Sequence, residues 1–168
     1  MKSFIEQVST YAEYHRDPKN ITTHLFGVPF IVFAVMVLLS RPIFEVGGYS
    51  FTVAVIGYIA VTLFYLSLNL LFGLLMAVIF AAGIYAATIV AGMSTIVWLS
   101  TGLGLFVGGW IIQFVGHHYE GKKPAFVDDL VGLLIGPLFV TAEICFALGF
   151  CKTLKEQIEQ RAGPIRSS

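Results

Sequence analysis

The chain has 168 residues, of which 57% are hydrophobic and 12% charged, and its formal net charge is zero. Soluble domains carry roughly 25% charged residues, whereas the 74 residues from Val46 to Tyr119 contain no Asp, Glu, Lys or Arg at all. Such a chain is a polytopic membrane protein, and without a basic excess it has no case as a nucleic-acid binder.

Residues 3–14 place Phe4, Ile5, Val8, Tyr11 and Ala12 on one helical stripe, away from Lys2, Glu6, Gln7 and Glu13. That spacing predicts a short amphipathic helix in the membrane interface. The first twenty residues hold several charges and no continuous apolar core, which argues against a cleaved secretory signal. The helix should stop near "RDPKN", where Asp17 reads as an N-cap and Pro18 as the first residue of a new helix. That helix passes His24 and continues through "LFGVPFIVFAVMVLLS" as the first span, ending before Arg41-Pro42. A turn at Gly47-Gly48 leads to a second span over 50–70, and a bend within 69–73 leads to a third over 72–91. Another turn at Gly92 to Ser94 opens a fourth span over 95–116, with Trp110 as an interfacial anchor.

The polar loop "HHYEGKKPAFVDD" follows, then a fifth apolar segment over 130–150, interrupted by Gly136-Pro137, and a basic tail. The expected fold class is therefore all-α: a polytopic membrane helical bundle of four full spans, a fifth broken or re-entrant segment and a short N-terminal interfacial helix. One membrane-embedded domain covers 1–150 and a basic polar tail covers 151–168. Cys145 and Cys151 make neither a disulfide framework nor a zinc motif and read as small buried residues.

There are four histidines, and they fall in two polar patches at the edges of apolar blocks: His15 and His24, then His117 and His118. An even number of crossings separates the patches, so all four imidazoles should lie on one face of the membrane. If segment five crosses fully, Lys and Arg divide five against five between the two faces; if it dips and returns, they divide nine to one. The positive-inside rule prefers the second arrangement, with the histidine face cytoplasmic.

With one further turn on the fourth helix, Gln113, His117 and Glu120 share a face and His118 points about 100° away. His15 and His24 would approach the same point from the N-terminal segment. Neutral imidazoles with a carboxylate suit Fe(II), Zn(II) or Cu(II), and interfacial histidines that bind nothing are the alternative. Glu143 is an ionisable group inside an apolar segment, where such groups are costly and usually functional or paired. A metal ligand, a proton relay, a partner for a buried histidine and a backbone contact all remain open for it. Asp128 and Asp129 suit a cap on segment five, while Lys122 and Lys123 suit a substrate carboxylate or lipid phosphate.

Two stretches resemble a known family. "YAEYHRDPKNITTH" is similar to its N-terminal signature Tyr-x-x-x-His-x-x-Pro-x-Asn-x-x-x-His, and "GWIIQFVGHHYEGKKPAFVDDL" to its second, a Trp, then Gln-Phe-x-Gly-His, an acidic residue, a basic pair and Pro-Ala. The family is the small multi-pass membrane 2-hydroxy fatty acid dioxygenases, known from the fungal endoplasmic reticulum and from bacteria. The resemblance spans about residues 11 to 150. It implies an Fe(II)-dependent oxidoreductase of fatty acid α-oxidation, in which a long-chain 2-hydroxy acid and O2 give the acid one carbon shorter, CO2 and water, with no redox partner. It carries over His15, His24 and His117 as iron ligands and Glu120 as the acidic position. His118 sits where the pattern varies, and Asn20, Gln113, Lys122, Lys123, Asp128 and Glu143 are candidates for substrate contact or support of the ligands. The location implied is a bacterial inner membrane or the endoplasmic reticulum. The competing reading is a non-catalytic transporter or lipid-organising protein with a structural metal site or none.

Overall fold

The computed structural model describes residues 3–41, 43–125 and 131–166, which form seven α-helices and one two-stranded hairpin. The chain is an all-α membrane bundle. It divides into two compact units, residues 1–28 with 110–168 and residues 29–109, and two long helices pass from one into the other.

The first unit begins with α1 (Phe4–Ala12), started by a capping box in which Ser3 and Glu6 exchange side-chain and backbone bonds of 2.7 and 3.3 Å. The chain then turns through residues 13–17 into α2 (Pro18–Leu39), where the Asp17 carboxylate accepts from Lys19 N at 2.8 Å, as an N-cap does. The end of α5 (Thr95–Glu120) belongs to the same unit, as do α6 (Gly132–Ala147) and α7 (Lys152–Ala162). Both α6 and α7 pack on α1. The apolar stripe of α1, expected to lie on the bilayer surface, is thus covered by protein, and Phe4, Val8, Tyr11 and Ala12 are buried.

Segment five differs from the sequence expectation in one respect. Helix α6 runs unbroken through Pro137, whose carbonyl accepts the Thr141 hydroxyl at 2.9 Å. Gly136 serves a close approach instead: a Cβ there would stand 3.0 Å from the Tyr11 phenol oxygen. The chain turns back only after α6, at residues 148–151, where Gly149 and Cys151 have positive φ. From there α7 returns to α1 and buries Ile158.

In the second unit the turn expected at Gly47-Gly48 is the tip of a β-hairpin. Strand β1 (Ile43–Val46) pairs antiparallel with β2 (Tyr49–Thr52), and both glycines have positive φ, as a two-residue primed turn requires. The hairpin takes residues that the hydropathy reading gave to the second span, so α3 (Val53–Leu68) starts late, capped by Thr52. Asn69 then ends α3 and caps α4 (Leu70–Ala91), accepting from Phe72 N at 3.0 Å. The two helices pack closely at Gly73, where a Cβ would stand 2.7 Å from the Leu66 backbone. Arg41 closes the unit by donating to the carbonyls of Ala91 and Met93 at the end of α4, with its guanidinium over the Trp98 ring.

Helices α2, α4 and α5 are each long and apolar enough to cross a bilayer. Helices α3 and α6 have 16 residues, about 24 Å at 1.5 Å per residue, against a hydrocarbon thickness of about 30 Å.

Candidate metal centre

Three imidazoles from three chain segments meet in the first unit. His15 follows the end of α1, His24 lies in the second turn of α2, and His117 lies in the last turn of α5. All three are buried, and their ligand atoms lie within 4.8 Å of one another. Ring centroids are 4.3 Å apart for His15 and His24, 5.1 Å for His15 and His117, and 5.0 Å for His24 and His117.

Close approach of α2 and α5 makes this possible. At Gly116 a Cβ would collide with Thr23 Oγ1 and stand 2.6 Å from Asn20 Oδ1. Glycine there lets the neighbouring His117 reach the α2 face that carries His24. Tyr11 stacks on His15 with centroids 4.2 Å apart and planes 8° from parallel, and Phe139 of α6 covers the same ring at 5.3 Å.

Hydrogen bonds settle which ring nitrogens carry protons. Nδ1 of His15 is 2.7 Å from the Tyr11 carbonyl, and Nδ1 of His24 is 2.9 Å from the Asn20 carbonyl. A carbonyl only accepts, so both Nδ1 atoms donate. Both neutral rings then present a bare lone pair at Nε2, and these two atoms face each other at 2.9 Å. Two lone pairs at that distance repel unless a cation sits between them. The cation is not readily a proton, because burial, and then the neighbouring His24 ring, hold His15 well below the ordinary imidazole range, against a smaller opposing effect of the Tyr11 carbonyl. Two nitrogens each about 2.1 Å from one ion at a right angle stand about 3.0 Å apart, so the spacing fits a transition metal. His117 adds a third donor, and its buried Nδ1 has no hydrogen-bond partner among the described residues.

The sequence has counterparts among known proteins. The family model described as "2-hydroxy-palmitic acid dioxygenase Mpo1-like" matches residues 1–148. The chain belongs to that family. It is 35% identical over 156 residues to the 2-hydroxy-palmitic acid dioxygenase MPO1 of Saccharomyces cerevisiae, a match that covers 91% of this chain and 86% of the yeast protein. No solved structure matches. The residues that the family model matches hold all three clustered histidines and end before α7.

The remaining sequence candidates sit around this centre in different ways. Glu120 is buried on the same helix as His117, but its Oε2 accepts from the amides of Arg16 and Asp17 at 2.9 and 2.8 Å and from Asn20 Nδ2 at 3.1 Å. Its carboxylate therefore ties the loop that carries His15 to the end of α5. Asn20 is fully buried and links that carboxylate to the Tyr14 carbonyl. Gln113 is buried one turn before His117, and its Nε2 has no partner among the described residues. His118 is exposed and turned away, near the Tyr119 ring. Lys122 donates to the Glu13 carbonyl at 2.8 Å, and Lys123 is exposed. Asp128 and Asp129 lie outside the described residues.

Glu143 finds its partner in Arg16, Nη2 to Oε1 at 3.9 Å, with both side chains largely buried. Arg16 is the residue that sequence reasoning missed. Its Nε donates to the carbonyls of Ala12 and His15 and its Nη1 to Gly163. An arginine next to a histidine in a polar loop carries no mark of burial. Tyr11, four residues before His15 in the first signature, was visible as a stripe residue but not as the platform under an imidazole.

Proposed function

We propose that the protein is a metal-dependent 2-hydroxy fatty acid dioxygenase, with His15, His24 and His117 holding a ferrous ion. The observation that carries this reading is the pair of facing Nε2 lone pairs completed by a third imidazole, in a member of the Mpo1-like family. Three imidazoles alone would serve zinc equally well, but zinc has no redox chemistry and oxygen activation needs a redox-active metal. Ferrous ion bound there would supply the one-electron chemistry by which O2 reacts with the acid.

The proposed reaction converts a long-chain 2-hydroxy acid and O2 to the acid one carbon shorter, CO2 and water. Loss of the carboxyl carbon as CO2 and oxidation of the carbinol carbon to a carboxyl release four electrons, which O2 accepts. The balance needs no redox partner. The chain's own part is to hold the ion with three uncharged rings, to shield those rings with Tyr11 and Phe139, and to fix the His15 loop through Glu120. The acid's alkyl tail would lie along the apolar outer face of α5, where Ile111, Phe114 and Val115 are exposed. We also read the histidine side as cytoplasmic. The C-terminal segment bonds to Arg16, which supports the nine-to-one division of basic residues and hence the positive-inside assignment.

The transporter reading has little support. The one ionisable residue within α6 that it would use, Glu143, is paired with Arg16. The deciding experiment is metal analysis of detergent-purified protein, then incubation of the iron-loaded protein with 2-hydroxypalmitate under air and analysis of the lipid. One iron per chain and pentadecanoic acid as product are expected, with both lost in His15→Ala, His24→Ala and His117→Ala. Iron retained in all three variants would sink the ligand assignment, and wild-type protein that binds iron but makes no shorter acid would sink the activity.

A further inference from the structure

The match to the family model ends at residue 148, yet two residues beyond it reach the loop that bears His15. The Arg166 amide donates to the Arg16 carbonyl at 2.9 Å, and Arg16 Nη1 donates to the Gly163 carbonyl at 3.0 Å. The Arg166 side chain goes further. Its Nη2 stands 3.1 Å from Glu120 Oε1 as an ion pair without hydrogen-bond alignment, and its Nη1 donates to the Glu120 carbonyl at 3.4 Å.

Glu120 is the residue through which this contact matters. Its side chain is 0% exposed, whereas Arg166 is 48% exposed. Oε2 is occupied by three donors, the amides of Arg16 and Asp17 and the Asn20 carboxamide. Oε1 has no hydrogen bond among the described residues and faces the guanidinium of Arg166. A buried carboxylate that loses its neighbouring counter-charge is costly, and it swings away to escape. That movement would release the amides of residues 16 and 17 and, with them, the backbone that directs His15. Asn20 would loosen as well, and its carbonyl sets the tautomer of His24.

We propose that Arg166 is a positioning residue for the three-histidine centre: by holding the Glu120 carboxylate it fixes the His15 loop against the helix end that carries His117. The C-terminal segment is then part of the site although it lies beyond the residues that the family model matches. This inference rests on the metal-binding reading above.

Groups that orient metal ligands typically change metal affinity by 10–100-fold when removed. The test is anaerobic titration of the metal-free, full-length protein in detergent with Co(II), against a competing chelator, with the cobalt visible spectrum recorded at saturation. Arg166→Ala should weaken cobalt binding by about 10–100-fold and shift the visible bands. Arg166→Lys, which keeps the charge, should recover most of the affinity. Deleting residues 163–168 should match or exceed Arg166→Ala, since it also removes the Gly163 contact. His117→Ala serves as the control. If Arg166→Ala or the deletion binds cobalt with wild-type affinity and spectrum while His117→Ala has lost it, the positioning role is overturned and the metal centre stands. If His117→Ala also keeps wild-type binding, the metal reading itself fails. A fall in thermal stability of Arg166→Ala with affinity and spectrum unchanged would mark a purely structural contact and would equally overturn the proposal.

Discussion

His15 and His24 confront each other through Nε2 atoms 2.9 Å apart while the opposite nitrogen of each ring is bound to a backbone carbonyl. The rings cannot both turn away without breaking those bonds, so a cation should stabilise the folded protein whether or not it does chemistry. Zinc separates the two effects. At free zinc about a hundredfold above its dissociation constant, the unfolding free energy should rise by about 2.7 kcal/mol, while turnover of 2-hydroxypalmitate stays at background. Ferrous ion should give both stabilisation and product. Thermal unfolding followed with each metal checks this, and an absence of any zinc-induced stabilisation would contradict the facing-lone-pair argument.

The metal-free protein should be acid-sensitive in a defined direction. Burial, followed by the His24 ring, pushes His15 well below its ordinary value, which is about 6.5 in an unfolded chain. Above that value neither state binds the proton and stability is flat. Below it the unfolded chain takes up a proton that the folded chain refuses, so stability falls with falling pH, approaching about 1.4 kcal/mol per pH unit for this one group. Unfolding midpoints between about pH 8 and 5 should therefore decline only on the acid side, and His15→Gln should make the decline shallower by the share of this one ring. A midpoint that stays level across this range in the metal-free wild type would be inconsistent with a neutral buried ring.

Gly116 should tolerate no side chain. A Cβ there meets Thr23 Oγ1 and Asn20 Oδ1, both on α2, and overpacking of this kind costs roughly 1–3 kcal/mol. Gly116→Ala should lower the unfolding midpoint and also lower iron content, because it pushes His117 away from His24. At Gly108 on the same helix, an added methyl would meet nothing within 4 Å among the described residues, so Gly108→Ala should be neutral or gain up to about 1 kcal/mol. Iron bound at wild-type stoichiometry in Gly116→Ala would count against the helix contact as the device that aligns the rings.

Glu143 should matter for stability and not for metal. Removing one member of a buried ion pair leaves the other uncompensated, typically at about 3 kcal/mol or more. Glu143→Leu should therefore destabilise strongly, and adding Arg16→Met should restore part of the loss, with a double-mutant cycle giving the coupling. Iron content per folded chain should remain near wild type in Glu143→Leu. Lost iron without lost stability would instead point to a ligand or proton-transfer role for this carboxylate.

Much of the site was legible because two simple facts constrain it. Most of a run without charges as long as 46–119 must fold into apolar helices, and histidines confined to two patches imply that the fold joins them. Spacing at the end of α5 also placed His117 and Glu120 on one face. It did not say what each would meet, since that depends on where the loop of residues 13–17 runs, and there Glu120 finds amides where a shared ion was one expectation. The hairpin was missed for another reason. Tyr-Ser-Phe-Thr runs without a break into the apolar residues of α3, so hydropathy joined the second strand to the span although the paired glycines before it announce a hairpin. Arg166 was beyond reach, because a basic residue near a chain end is ordinarily solvated.

Three segments supply the imidazoles, and the last of them, His117, is synthesised 93 residues after His24. A nascent chain that has released only its N-terminal part offers two nitrogens on a still unfolded stretch, a weak chelate that captures little metal at cellular concentrations. On the proposed metal reading, full coordination requires the end of α5 to fold back onto the start of the chain. Acquisition of the ion would then be a late step of biogenesis, conditional on correct folding of everything in between.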